Sequence, residues 1–269
     1  MIDKIISGGQ TGADQAALDV AVKYNIAHGG WIPKGRITEA GPLPSRYRLH
    51  QMRTTDYRDR TRQNVLDSQG TVIFFRNHLT GGSRLTRDVA KSMRKPFCAV
   101  NLLDNDPFES AVILQSFVQE NNIRIVNVAG PRASHDPGIY VDTKIILETL
   151  LYLVHLDQGN AFAIPFTCCT DPAFPDTCDA AVHLLEQDLP LKEKTDIARL
   201  DDTKIMDLYF SWLDYLRYRL GLDAGNPSLV ASCHRGVDIA YFTIEDAVMQ
   251  IIKALKLYCD QSYRLRIVK

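Results

Sequence analysis

The chain has no run of apolar residues near the ~18 that a membrane-spanning helix requires, so no membrane segment is expected. Its first residues read as a strand rather than a cleavable signal, and a cytoplasmic location is the expectation. Cysteine is sparse, six in 269 residues. Cys98 falls in a strand-like run, Cys259 in a helical one, and only Cys168, Cys169 and Cys178 cluster. Adjacent cysteines match neither a C-x-x-C redox pair nor a zinc knuckle, and His183 completes no metal spacing. No metal site is therefore expected, and the thiols read as buried or incidental.

A charge excess of either sign is also missing, the net charge being −1. The balance hides an asymmetry: between Lys34 and Lys95 there are fourteen Lys and Arg against five Asp and Glu. The arginines from Arg46 to Arg62 have only Tyr47 and Tyr57 interleaved among them, and the domain as a whole is not basic. A small anionic ligand accounts for this cluster more economically than nucleic acid does.

What the sequence does have is three glycine-bearing loops, each following an apolar run that reads as a buried strand. They are Gly8-Gly9-Gln10-Thr11-Gly12-Ala13-Asp14, Thr80-Gly81-Gly82-Ser83 and Ala129-Gly130-Pro131-Arg132. The first two run straight into helical patterns, where backbone N–H groups gather and can cradle an anion. The glycine offsets of the first loop are not those of G-x-G-x-x-G, and it lacks the Lys-Ser/Thr pair of a Walker loop, which disfavours ordinary NAD binding and ATP hydrolysis.

Strand and helix alternate from residue 1 to about 156. Strands are expected over Ile2–Ser7, Ile26–Ile32, Gly70–Phe75, Pro96–Leu102 and Ile123–Val128, with helices over Ala13–Tyr24, Tyr57–Gln69, Gly82–Met93, Pro107–Asn121 and Asp136–Leu156. Asp106 and Pro107 form a helix start. This order predicts an α/β fold, a Rossmann-like doubly wound parallel sheet with right-handed crossovers. Ligands of such sheets sit at the carboxyl ends of the strands, where all three glycine loops fall.

Residues 159–176, with Pro165, Cys168, Cys169, Pro172 and Pro175, read as a linker between a 1–158 domain and a smaller all-α domain over 177–269. Helices are expected from a cap at Thr177 or Asp176 through Leu189, from after Thr203 to an end at Gly221, from Asn226-Pro227, and from Thr243, which resembles a capping box with Asp246. Tyr263 to Ile267 alternates like a short edge strand. The helical segment holds no catalytic constellation. Partner binding, self-association, covering of the nucleotide site and a passive structural role all fit it.

Several motifs in order carry a resemblance. Ile6-Ser7-Gly8-Gly9-Gln10-Thr11-Gly12-Ala13-Asp14, Gly29-Gly30-Trp31-Ile32-Pro33-Lys34-Gly35-Arg36, Glu39, Gly41, Thr61, Asn64, Thr80-Gly81-Gly82-Ser83 and Asn127-Val128-Ala129-Gly130-Pro131-Arg132 are similar to the molybdenum-cofactor carrier family, over about residues 1–156. That family is related to the lysine-decarboxylase-like nucleotide phosphoribohydrolases. The resemblance implies a Rossmann-like domain that binds a phosphate-bearing nucleotide or pterin ligand, a molybdenum cofactor being one candidate. The hydrolases carry Pro-Gly-Gly-x-Gly-Thr followed by a catalytic glutamate. Here Thr80-Gly81-Gly82-Ser83-Arg84-Leu85 stands instead, with Asp88 near the glutamate position.

The candidate ligand-binding residues are Gly8, Gly9, Gln10, Thr11, Gly12, Asp14, Lys34, Arg36, Thr80, Gly81, Gly82, Ser83, Gly130, Pro131 and Arg132. The glycines and hydroxyls would supply hydrogen bonds, and Arg36 and Arg132 would neutralise charge through their planar forks. Asp14 has two readings, one in which it faces a sugar hydroxyl, a base edge or a metal, and one in which it stabilises a helix N-terminus. If the chain is a hydrolase of nucleoside 5′-monophosphates, Asp14 and Asp88 are the candidate catalytic carboxylates. Asp88 has a plainer reading as a helix-surface partner of Arg84 or Lys91.

Overall fold

The computed structural model describes residues 2–156, 162, 174–239 and 241–263. The chain divides into two compact units, residues 1–158 and 159–269. In the first unit β1 (Lys4–Ile6), α1 (Ala13–Lys23) and β2 (Ala27–Gly29) precede four short strands, β3 (Trp31–Ile32), β4 (Ile37–Thr38), β5 (Gly41–Pro42) and β6 (His50–Gln51). Then come α2 (Tyr57–Asp67), β7 (Gly70–Phe75), α3 (Gly81–Ser92), β8 (Phe97–Asn101), α4 (Pro107–Glu120), β9 (Ile125–Ala129) and α5 (Ile139–Leu156).

Five strands form one parallel sheet in the order β2-β1-β9-β7-β8. β7 lies inside that sheet, and its residues Val72, Ile73 and Phe74 are wholly buried, as a strand covered on both faces requires. The chain crosses the sheet in one sense from β1 to β2 and from β8 to β9, and in the other from β2 to β7 and from β7 to β8. Right-handed crossovers then put α1 and α4 on one face and α2 and α3 on the other. The packing agrees: α5 lies against both α1 and α4, and α2 against α3. The sheet is therefore doubly wound, as the strand and helix order predicts.

Local chemistry sets the boundaries. Asp106 and Glu109 form a complete capping box at the start of α4, with Pro107 at its first position. The segment Ile26–Ile32, expected as one strand, is broken at Gly30. Its φ is +126°, and a Cβ there would lie 2.1 Å from the Ser7 carbonyl oxygen, so only glycine lets the chain turn out of the sheet so close to β1. Beyond the break, β3 pairs with β6 in a separate small sheet, while β4 and β5 make a hairpin in the polar stretch Lys34–Arg46, whose Pro and Gly content reads as loop. Asn64 on α2 accepts the Trp31 N–H at 2.7 Å and holds β3 to that helix.

The second unit is helical among its described residues: α6 (Cys178–Asp188), α7 (Leu191–Arg199), α8 (Ile205–Arg219), α9 (Pro227–His234) and α10 (Ile244–Tyr263). α10 packs against all four others, and its Ile251, Ile252 and Leu255 are fully buried. Thr243 and Asp246 cap it reciprocally, Thr243 N–H donating to Asp246 at 2.9 Å and Asp246 N–H to Thr243 Oγ1 at 3.3 Å. α7 is additional to the helices expected, because it buries only Ile197 and Ala198 and so carries a weak apolar pattern. Tyr263, expected to open an edge strand, is instead the last residue of α10, whose helical period runs on through it. Residues 264–269 and most of the expected linker lie outside the described residues. No helix among the described residues is long and apolar enough to cross a membrane.

Candidate ligand-binding cleft

The carboxyl ends of β1, β9 and β7 open onto a cleft of about 1060 Å³. A volume of this size suits a nucleotide-sized ligand. The three glycine loops meet there: Gln10 and Asp14 from the first, Thr80 to Ser83 from the second, and Gly130 to Arg132 from the third all line it. In the sheet β9 separates β1 from β7, so the first and second loops stand two strand spacings apart, about 10 Å.

The β7 side carries the donors. Thr80 stands at the N-cap of α3 but gives no side-chain cap, which leaves the N–H groups of the first turn free. A Cβ on Gly81 or Gly82 would meet nothing within 4 Å, so the approach to those N–H groups is open. Ser83 on α3 and Thr61 on α2 are buried, 7% and 6% exposed, and both line the cleft. Neither hydroxyl has a hydrogen-bond partner among the described residues. Free hydroxyls beside an uncapped helix N-terminus form a donor set suited to an anion.

The β1 side carries a carboxylate under guard. Asp14 Oδ2 accepts the Gln10 N–H at 3.2 Å and lies 3.4 Å from the Arg60 guanidinium. Burial pushes the Asp14 carboxyl above its ordinary value, against the opposing pull of Arg60, the Gln10 N–H, the Ser7 hydroxyl and Arg132. A Cβ on Gly8 would overlap the Arg60 guanidinium, so the glycine leaves room for that side chain. At Gly12, with φ +82°, a Cβ would lie 2.6 Å from the Pro131 carbonyl oxygen, and this close approach joins the first loop to the third.

Other polar groups of the first loop serve the fold. Gln10 Oε1 accepts from Thr11 N–H at 3.0 Å and Glu39 N–H at 2.9 Å. The Thr11 hydroxyl bonds to Glu39, which also accepts from Ser134 N–H at 3.0 Å and Ser134 Oγ at 2.6 Å, with Arg132 at 3.9 Å. Burial alone would raise the Glu39 carboxyl, but the bonds from Ser134 and Thr11 hold it below its ordinary value. Gly9 packs against Leu43 and Leu49.

Gly8, Gly9, Thr11 and Gly12 of the first loop do not line the cleft, and three further candidates are also placed outside it. Lys34 is exposed and outside the cleft lining, held only through its N–H to Thr54 O at 2.8 Å. Arg36 turns into the loop that follows β3, donating to Leu49 O at 2.9 Å and Tyr47 O at 3.0 Å. Asp88 lies outside the cleft lining and pairs with Arg87 at 2.7 Å and Arg84 at 3.8 Å. Conversely, the candidate set omits Tyr57, Arg58, Arg60 and Thr61 of α2, and Arg76 after β7, all of which line the cleft. The signal for α2 is the spacing of Tyr57, Arg58 and Thr61, which puts them on one helix face. Arg76 is held by Asp136 at 2.8 Å and by Asp142, a pairing that no sequence spacing reveals.

The sequence profile of the Circularly permutated YpsA SLOG family, cpYpsA, matches residues 5–151. The chain belongs to this family. A solved structure from Syntrophus aciditrophicus named "putative molybdenum carrier protein" is similar to it, with 48% identity and a TM-score of 0.55, over 56% of this chain and 95% of that one. The resemblance carried by the glycine loops is thus met by a relative of that name. No curated protein matches the chain. The sheet makes the permutation of the cpYpsA family legible: counted from β7 as the first strand, the order β2-β1-β9-β7-β8 becomes 2-1-3-4-5 in reverse, the flavodoxin-like winding. Its switch point falls between β7 and β9, where the cleft of this cpYpsA member lies.

Proposed function

We propose that residues 1–158 bind a phosphate-bearing nucleotide-like or pterin ligand in the cleft, with its phosphate at the N-terminus of α3. The observation that carries this reading is the free donor set of Gly81, Gly82, Ser83 and Thr61 at the switch point of the sheet. Asp14, from the loop after β1, two strands from β7, faces the sugar or ring end of the ligand, which separates the carboxyl from the phosphate. Arg58, exposed at the cleft and without an ion-pair partner among the described residues, adds positive charge, as does Arg132. A molybdenum cofactor, a pterin bearing a phosphate, belongs to this ligand class.

Cleavage of an N-glycosidic bond is the second reading. Of its two candidate carboxyls, Asp14 lines the cleft, whereas Asp88 is paired outside it.

The test is a thermal-shift series with inorganic phosphate, nucleoside monophosphates and released molybdenum cofactor. Gly82→Leu serves as the control, because its side chain enters open space and leaves the core untouched. The wild type gains melting temperature with at least one of these and Gly82→Leu gains much less. Equal gains in both proteins place the ligand away from α3.

A further inference from the structure

The second unit brings together two cysteines that stand far apart in sequence. Cys178 is the first residue of α6 and partly exposed, while Cys233 sits in the last turn of α9 and is buried. The Cys178 N–H donates to Ser232 Oγ at 3.1 Å, which pins the start of α6 beside the residue preceding Cys233. That contact brings Cys178 to the turn of α9 that carries Cys233, near enough for each thiol to act on the other's ionisation. Cys233 holds the Cys178 thiol below its ordinary value, against burial and the neighbouring Asp179, while Cys178 and burial together push Cys233 up. Position at a helix N-terminus favours a thiolate at Cys178 as well.

The pair is therefore asymmetric. One thiol is partly exposed and held below its ordinary value; the other is buried and pushed above it, one residue beyond the serine that holds the start of α6. This is the arrangement of an attacking and a resolving cysteine. We propose that Cys178 and Cys233 form a reversible disulfide by exchange with a low-molecular-weight disulfide of the glutathione class.

The Cys178 thiolate attacks one sulfur of the small disulfide, forming a mixed disulfide and expelling one thiolate, which takes a proton from water. Cys233 then loses its proton to solvent and attacks Cys178 Sγ, forming the Cys178–Cys233 bond and expelling the second small thiolate. The protein loses two electrons and two protons, and the small disulfide becomes two thiols. The bond ties the start of α6 to α9 and closes a loop that contains α7 and α8. In a reducing compartment such a bond is transient, which suits a switch rather than a permanent clasp.

The experiment uses the full chain, equilibrated in glutathione buffers from reducing to oxidising, with free thiols then blocked and peptides mapped by mass spectrometry. A peptide pair joining Cys178 to Cys233 is expected, with the loss of two free thiols and full reversal by dithiothreitol. In Cys233→Ser the mixed disulfide on Cys178 accumulates, and in Cys178→Ser the Cys233 thiol stays reduced. The wild-type map decides the matter even if a variant fails to fold. No link between 178 and 233 in the oxidising buffer, a dominant link from Cys178 to Cys168 or Cys169, or glutathione arriving first on Cys233 overturns the proposal.

Discussion

The guanidinium of Arg60 lies over Gly8 and reaches within 3.4 Å of the Asp14 carboxylate. Burial nevertheless raises the Asp14 carboxyl, so the native protein holds that proton more tightly than the unfolded chain does. Stability contributed by the protonated form is present below the ordinary carboxylate value and is lost as pH rises through the higher native value. Asp14→Asn, which cannot ionise, should gain stability relative to the wild type as pH rises from the ordinary carboxylate value through the higher native one. Urea unfolding at several pH values checks this. A gap that narrows or reverses as pH rises means that Arg60, not burial, governs Asp14.

The same carboxyl decides the chemistry. Asp88 is paired with Arg84 and Arg87 outside the cleft, so incubation with a panel of nucleoside 5′-monophosphates should release no free base above background. Chromatography of the products is the measurement. Base release that Asp14→Asn abolishes and Asp88→Asn leaves intact would make the chain a hydrolase built on one carboxyl. Release that depends on Asp88 would mean that α3 is turned differently in solution.

Asp19 anchors the buried polar centre of the first unit. Tyr47 donates to one of its oxygens at 2.7 Å and Tyr140 to the other at 2.6 Å, joining the loop before β6 and α5 to α1. Arg46 reaches the Tyr47 hydroxyl at 2.7 Å. Tyr140→Phe removes one donor from a buried carboxyl and should cost about 2 kcal/mol, with Tyr47→Phe costing at least as much because Arg46 loses an acceptor too. Chemical denaturation of both variants tests the order. Wild-type stability in either would mean that water replaces the lost hydroxyl.

The five-stranded sheet is covered on both faces by helices from residues 1–158 alone. A fragment of residues 1–158 should therefore melt cooperatively by itself and keep the anion-dependent gain in melting temperature. Calorimetry with and without nucleoside monophosphates measures both. An insoluble fragment would show that the two units share a core. A folded fragment with tenfold weaker binding, about 1.4 kcal/mol, would assign part of the site to residues 159–269.

Much of the first unit was readable from local pattern. Apolar runs such as Gly70–Phe75 and the Asp106-Pro107 start are local signals, and the structure has the corresponding strand and capped helix. The break of Ile26–Ile32 at Gly30 was not readable, because it arises from the nearness of the Ser7 carbonyl oxygen on a neighbouring strand. Likewise the Arg36 fork suits a phosphate by residue type, yet its partners are carbonyls of Tyr47 and Leu49, which only the folding of that loop brings within reach.

The sequence by itself determined the alternation of strands and helices, the placing of three glycine loops after strands, and the family, because each rests on residues close together in the chain. The tertiary structure decided which loops face one another, since strand order is set by crossovers that span many residues. It put β9 between β1 and β7, which makes the cleft and holds Asp14 apart from the N-terminus of α3. It also drew Arg60 to Asp14 and Cys178 to Ser232, the neighbour of Cys233, pairs whose meeting depends on helix packing and leaves no mark on local spacing.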